Sequence, residues 1–342
     1  MERVEALDRR QMLNRLSEMP KHFSDGLREG RLSKLPKFVP RNLFVCGMGG
    51  SAIGGDLLRE WLSITSDFPC TVVRSYSVPA SVTKDSLVIV ASYSGETEET
   101  ISMFESARKR RAKIVIATSG GTLARTADAE GLPYVKLPSG LVPRASLGFM
   151  LGAMVGIVER AGIMASEREI EETMVVLSRI ARENAVSVRT ADNPAKKMAH
   201  GIIDKVPVVV GYGLSVPVAR RWANQFNENS KCLAFSSELP ELDHNEIVGW
   251  ALDPRSRGFV ALFLDHRRRD RAMERRLAAT KDMISKRAQV ITVEALGQSP
   301  LAQIMSLVLF GDYVSAYLGI LRGFDPSSSE PIDELKSVLS KK

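Results

Sequence analysis

The chain alternates short, continuously apolar blocks with longer stretches whose apolar residues recur at helical spacing. Leu43–Cys46, Cys70–Arg74, Leu87–Ala91 and Lys113–Ala117 read as strands, with Tyr134–Lys136 as a short fifth. Ser51–Ser63, Thr97–Arg110 and Thr122–Glu130 read as helices between them. Apolar strands separated by helices predict a parallel sheet covered on both faces. Right-handed crossovers then bring the strand C-termini, and any ligand, to one edge. Residues 1–40 predict one or two helices closed by Pro36 and Pro40, with His22 as a surface or capping residue. Residues 145–200 are strongly helical and are broken at Asn193-Pro194.

The second half repeats the first. VPVVVGYGLSVPVARRWANQF follows the strand–turn–helix pattern of NLFVCGMGGSAIGGDLLREWL, and Gly47-x-Gly49-x-Ser51 matches Gly211-x-Gly213-x-Ser215. GFVALFLD (258–265) answers SLVIVASY (86–93), and AQVITVE (288–294) answers AKIVIAT (112–118). The expected organisation is therefore a helical segment at 1–40, a first α/β domain at 41–150, a helical connection at 151–200 and a second α/β domain at 201–342. A helix around Leu301–Leu321 closes the second sheet, and the loop Asp325–Pro331 leads into a terminal helix carrying Lys336.

Composition narrows the setting. The chain has 342 residues, 44% hydrophobic and 25% charged, enough for a large core. No continuous apolar run reaches the roughly 18–20 residues of a membrane span, and MERVEALDRRQML lacks a signal-peptide core. A cytoplasmic protein without membrane association is expected. Cys46, Cys70 and Cys232 are widely separated and read as buried reduced thiols, without metal-ligand spacing. The net charge is +7, with basic clusters at Arg108–Arg111 and Arg267–Arg269. These clusters lack interleaved aromatic residues, so solvated helix faces are expected rather than nucleic-acid binding. Positive charge also favours an anionic small substrate.

Two loops carry candidate chemistry. In the first, Gly47, Gly49 and Gly50 keep Cβ atoms out of a turn that opens a helix near Ser51. Helix N-terminal amides and the helix dipole suit an anion there. In the second, SYSGETEET (92–100) follows the strand Leu87–Ala91 and offers Ser92, Ser94 and Thr97 around Gly95. One such hydroxyl reads as a helix cap; three beside a second glycine-rich turn predict a phosphate cradle. In the repeat, LDHRRRD stands where the hydroxyl loop would be, so one domain is expected to hold phosphate and the other to supply different groups. Three further candidates are Arg144 in LVPRAS, Glu228 in NQFNENSK and His244 in ELDHNEIVGW. Taken singly, each also fits a plainer role: a salt bridge, a solvated carboxylate and a capped loop imidazole.

In order along the chain, GMGGSAIGGDLL, SYSGETEET, VPR, FNENSK, HNEI and RGFDPSSSEPIDELK resemble the bifunctional phosphoglucose/phosphomannose isomerases of archaeal type, across roughly residues 40–337. The resemblance implies two similar doubly wound, flavodoxin-like sugar isomerase (SIS) domains, with a helical connection and a C-terminal active-site helix. It implies interconversion of glucose 6-phosphate and fructose 6-phosphate, and of mannose 6-phosphate, through a cis-enediol, with no metal and no cofactor. Gly50, Ser51, Ser92, Ser94 and Thr97 would hold the substrate's phosphate. Glu228 would move the proton between C1 and C2, His244 and Lys336 would open the sugar ring, and Arg144 would stabilise the enediolate. The family pattern places the histidine on the neighbouring subunit, which implies a homodimer with His244 donated across the interface.

One position departs from the pattern. A threonine before the terminal helix accompanies the mannose activity in the family; here the loop reads DPSSSE, and Ser329 is the counterpart by its distance from Lys336. Serine keeps the hydroxyl but lacks the methyl that restricts its rotamer, so glucose is expected to rank ahead of mannose. Two rivals remain at this stage. Gly47-x-Gly49-x-x-Ala52 fits a loose dinucleotide pattern, and Arg74 at the end of the second strand would select NADP, giving a dehydrogenase. A non-enzymatic sugar-phosphate-binding regulator is the other, although about 40 N-terminal residues are short for a helix-turn-helix module.

Overall fold

A computed structural model describes residues 2–340. The chain divides into two compact units, each discontinuous in sequence. One comprises Glu18–Ser178 and Gly297–Met305; the other comprises Met1–Ser17, Arg179–Leu296 and Ser306–Lys342.

The Glu18–Ser178 unit is built on five parallel strands: β1 (Asn42–Gly47), β2 (Cys70–Val73), β3 (Ser86–Ala91), β4 (Lys113–Thr118) and β5 (Tyr134–Lys136), in the order β2-β1-β3-β4-β5. Leu43 lies opposite both Cys70 and Leu87, and Leu87 opposite Lys113. Every residue of central β3 is buried, which is why its sequence is an unbroken apolar run after Ser86. Helices Gly49–Thr65, Glu98–Lys109 and Gly121–Glu130 return the chain between strands. Strand order reverses between β1 and β3, so the loops leaving these strands diverge and leave a crevice at the sheet's C-terminal edge.

A helix pair flanks this sheet. Met19–Arg31 packs on Leu147–Arg160 so closely that glycine is required on both sides. A Cβ on Gly26 would stand 2.2 Å from Phe149 O, and one on Gly152 would stand 2.2 Å from Phe23 O. Gly30 and Gly156 meet the partner helix in the same way. His22, expected as a surface or capping residue, is instead buried in this packing within the helix: the Cβ that Gly148 lacks would stand 3.3 Å from His22 Cβ. The short helical periods around His22 conceal that its face is the one turned to Leu147–Arg160.

The other unit carries β6 (Val206–Gly211), β7 (Phe235–Glu238), β8 (Phe259–Asp265) and β9 (Gln289–Glu294), all parallel, in the order β7-β6-β8-β9. This is the first sheet's order without the outer strand. The helix Val216–Ser230 runs back from β6 and presents a row of polar residues, one turn apart, to the helix Pro300–Leu321. Arg221 donates to both Asp312 oxygens at 3.0 and 2.6 Å, Gln225 Nε2 to Asp312 Oδ1 at 2.9 Å, and Asn229 Nδ2 to Ser315 Oγ at 3.0 Å. Trp222 donates to Leu307 O at 2.8 Å and fills the space opened by Gly311. An apolar seam alone tolerates sliding; these bonds allow one rotation and one register. By length and composition Pro300–Leu321 would suffice for a membrane span, beyond what the interrupted apolar runs suggested, and 89% of its apolar window is buried within the protein.

Candidate active site

At the β1/β3 reversal the two sequence-predicted loops lie side by side. The helix after β1 starts at Gly49, two residues earlier than expected, with Gly49 at φ +51° and open space where its side chain would be. Its Ser51 and Ala52 amides donate to Met48 O at 3.1 and 3.3 Å, and the Gly49 and Gly50 amides precede the first intrahelical acceptor. The Cβ that Gly47 lacks would stand 2.8 Å from Ala91 O, at the end of β3. The Cβ that Gly50 lacks would stand 3.9 Å from Arg144 Cα, so the buried Arg144 segment, a short 3-10 turn at Pro143–Ser146, borders the same turn.

The hydroxyl loop answers the capping alternative directly. Thr97 occupies the N-cap position of the helix Glu98–Lys109 but makes no side-chain cap bond. Its hydroxyl lies 3.0 Å from the buried Ser92 Oγ instead. Ser92 Oγ accepts from Gly95 N and Ser94 Oγ from Glu96 N, each at 3.2 Å, shaping the turn. Gly95 sits at φ +69°, and a Cβ there would stand 1.9 Å from Gly120 O. The structure thus brings Gly50, Ser51, Ser92, Ser94, Thr97 and the Arg144 turn to one edge of one sheet. Their amides and hydroxyls can bind an oxyanion.

Two supporting residues, Glu96 and Tyr93, escaped the sequence reading. Glu96 accepts from Thr122 N and Oγ1, both at 2.8 Å, and from Arg125 at 3.2 Å, pinning the hydroxyl loop to the helix Gly121–Glu130. The Thr122 hydroxyl, with Arg125 assisting, holds the Glu96 carboxyl below its ordinary range. Tyr93 donates to Pro138 O at 2.9 Å and accepts from Leu141 N at 2.7 Å, tying the same loop to the segment before Arg144. These links span 26 to 48 residues, which no local pattern records. Arg74, offered as an NADP selector, turns both terminal guanidinium nitrogens onto buried Asp56.

The matching reversal between β6 and β8 is filled by side chains. Tyr212 donates to Asp265 Oδ1 at 2.5 Å and stacks on His266 with ring centroids 4.1 Å apart. His266 Nε2 lies 2.9 Å from Tyr212 O, and Arg269 donates to Asp265 at 2.7 Å. Ser215, the counterpart of Ser51, is buried and donates within its own turn. Burial, with the Asp265 bond adding to it, pushes the Tyr212 hydroxyl up to about 12. Burial likewise pushes the His266 imidazole down.

The remaining candidates lie in this second unit. Glu228, partly buried, is in the last turn of Val216–Ser230. Ser329 precedes the helix Glu330–Ser340, where its carbonyl accepts from Ile332 N at 2.9 Å and its hydroxyl lies 3.4 Å from Asp333 Oδ2. Lys336 is on that helix, and its side chain lies outside the described residues. His244 is exposed at the end of a short turn after β7. Its neighbour Asp243 is held by Arg276 at 2.9 Å and Thr280 at 2.8 Å. A helix returning from β6 ends at the sheet's N-terminal edge, whereas a turn following β7 lies at the C-terminal edge. The 15-residue helix separates those edges by about 20 Å, which sets Glu228 and His244 at opposite edges of their sheet.

Comparison with known proteins decides the family. A model of the bacterial phospho-glucose isomerase C-terminal SIS domain matches residues 191–339, and a SIS-domain model matches residues 38–130. The bifunctional phosphoglucose/phosphomannose isomerase of Caldicellulosiruptor bescii is 37% identical over 300 residues, 86% of this chain and 88% of that protein. The chain belongs to the bifunctional phosphoglucose/phosphomannose isomerase family. Another family member, from Aquifex aeolicus, is 36% identical over 88% of this chain and 91% of its own length. Among solved structures, a hypothetical protein of Thermus thermophilus aligns with a TM-score of 0.78 at 15% identity, over 97% of this chain and 90% of that one, a likeness of fold. The family's two-sheet α/β architecture is the one the sequence predicts.

The cysteines complete the inventory. All three are free thiols, and burial pushes Cys46 and Cys70 up to about 12, so neither is poised as a nucleophile at neutral pH.

Proposed function

We propose that this chain is an aldose–ketose isomerase that interconverts glucose 6-phosphate and fructose 6-phosphate, and also mannose 6-phosphate, by proton transfer through a cis-enediol. The carrying observation is the cradle at the β1/β3 reversal, with the Thr97 hydroxyl turned from helix capping toward Ser92, in a chain of this family. In this reading Gly50, Ser51, Ser92, Ser94 and Thr97 hold the phosphate, and Arg144 stabilises negative charge on the enediolate oxygens. Glu228 takes the proton from one carbon and returns it to its neighbour. His244 and Lys336 move protons at the ring oxygen and O1, and Ser329 contacts the epimeric region. Residues 41–150 and 201–342 are the working domains, and the protein acts in the cytoplasm as a homodimer. Support for a dimer comes from the opposite placement of Glu228 and His244 on their own sheet: His244 then serves the partner's Glu228.

The test is isomerisation of fructose 6-phosphate in EDTA, with glucose and mannose 6-phosphates quantified separately. Turnover with the glucose product in excess is expected, and mannose product alone would reverse the epimer ranking. Glu228→Gln should lower kcat by about 10³-fold or more while sparing phosphosugar binding; unchanged turnover would remove Glu228 from its role. Mixing inactive Glu228→Gln and His244→Ala proteins should restore roughly a quarter of wild-type activity, because half of a random dimer population then holds one intact site of two. No restoration after verified subunit exchange would place His244 in its own protomer's site.

A further inference from the structure

Lys231 ends the helix that carries Glu228, and none of the roles above uses it. Its backbone is left-handed, φ +50°, and its amide closes the helix on Phe226 O. The side chain then turns back. Its Nζ lies 2.9 Å from Glu228 O, 2.5 Å from Asp325 O and 3.1 Å from Ser328 O, with Asn229 O at 3.5 Å. An ammonium has three protons and no acceptor, which suits carbonyls converging from several directions. Two of these carbonyls lie at the helix C-terminus, where unpaired oxygens and partial negative charge collect. The other two belong to the loop that ends at Ser329 and leads into the Lys336 helix.

The loop has its own internal geometry. Ser327 N donates to Asp325 Oδ1 at 2.7 Å, and Ser328 N to Asp325 O at 3.3 Å. Arg322 Nε adds a second tie, to Ser230 O at 3.1 Å. Lys231 bonds both ends of this loop and the carbonyl of Glu228 itself.

We propose that Lys231 is a positioning residue: its ammonium fixes the 325–329 loop against the end of the Glu228 helix, and so tunes discrimination between aldose 6-phosphates that differ at C2. The kinetic half of this inference rests on the isomerase reading; the structural half stands on the bonds just described. Arginine is a poor substitute, because a planar fork does not converge on carbonyls as an ammonium does. Lys231→Met keeps the apolar stem and the same backbone demand but removes every donor.

Hydrogen exchange on the full chain, wild type against Lys231→Met, reads the tie directly. Amides of residues 325–332 should exchange about tenfold or more faster in the variant, with residues 216–226 unchanged. The ratio of kcat/KM for glucose 6-phosphate to that for mannose 6-phosphate should move by about tenfold, and Lys231→Arg should recover only part of it. Where Lys231→Met does not fold, Lys231→Gln, which retains two donors, gives the same comparison with a smaller increase. Unaltered exchange at 325–332, or an equal fall for both epimers, would overturn the proposal. A wild-type protein that turns over neither sugar would instead sink the isomerase reading, and the exchange experiment would still decide the tie.

Discussion

The two sheets reverse strand order at the same place and treat the resulting crevice in opposite ways. After β1 and β3 the chain spends glycine, serine and threonine, whose small size leaves the turn at Gly49 open while the Ser92 and Thr97 hydroxyls lie 3.0 Å apart. After β6 and β8 it spends Tyr212, Asp265 and His266, which satisfy one another there. Topology therefore creates the opportunity for a ligand, and side-chain size and self-pairing decide whether it is taken. A duplicated domain can keep its fold while its crevice becomes part of the core.

The sharpest way to break this comparison is to alter one glycine in each crevice. Gly95→Ala places a Cβ 1.9 Å from Gly120 O and must displace the hydroxyl loop; a loss of about 10²-fold in kcat/KM is expected. Gly213→Ala meets nothing closer than His266 Nε2 at 3.6 Å and keeps φ +46°, so it should cost about 1 kcal/mol of stability with activity intact. Equal kinetic losses would mean that both crevices serve the substrate. Tyr212→Phe comes next: Asp265 loses a buried donor, and urea unfolding should show a loss of about 2 kcal/mol with kcat/KM within about twofold of wild type.

The smallest effect is a pH dependence confined to the filled crevice. Burial holds His266 below its ordinary value of 6.5, against the raising influence of the Tyr212 carbonyl and Asp265, while Arg268 and Arg269 push the same way as burial. The unfolded chain then binds this proton at a higher pH than the folded protein does. His266 consequently supports full stability above pH 6.5, and that contribution is lost as pH falls through the lower folded value. His266→Gln should flatten the fall in Tm between about pH 7 and 5. A wild-type slope in the variant would assign the acid sensitivity elsewhere.

Much of the fold was legible because buried parallel strands write themselves as apolar runs; β3 and β8 needed no other signal. The cradle was legible because its requirements, small residues and hydroxyls, are unusual at the ends of such runs. The supports were not. Lys231 reaches Asp325 across 94 residues and Tyr93 reaches Leu141 across 48, and neither contact leaves a periodic trace. The Tyr212–Asp265–His266 cluster was foreshadowed only as a missing hydroxyl loop, since stacking and self-pairing depend on two strand ends meeting. His22 was misplaced for a related reason: a histidine on an amphipathic helix reads the same whether its neighbour is water or a glycine-lined helix.

The glycine-lined helix pair bears on modularity. Leu147–Arg160 begins where the Arg144 turn ends, and Met19–Arg31 grips it through backbone-to-backbone contact. The smallest transplantable piece that would keep the Arg144 turn beside the Gly49-Gly50 turn therefore starts upstream of the first strand, near residue 18, and extends through the helix at 147–160. A graft limited to the strands and their crossovers would inherit the glycine and hydroxyl loops and lose the helix pair that braces the Arg144 turn.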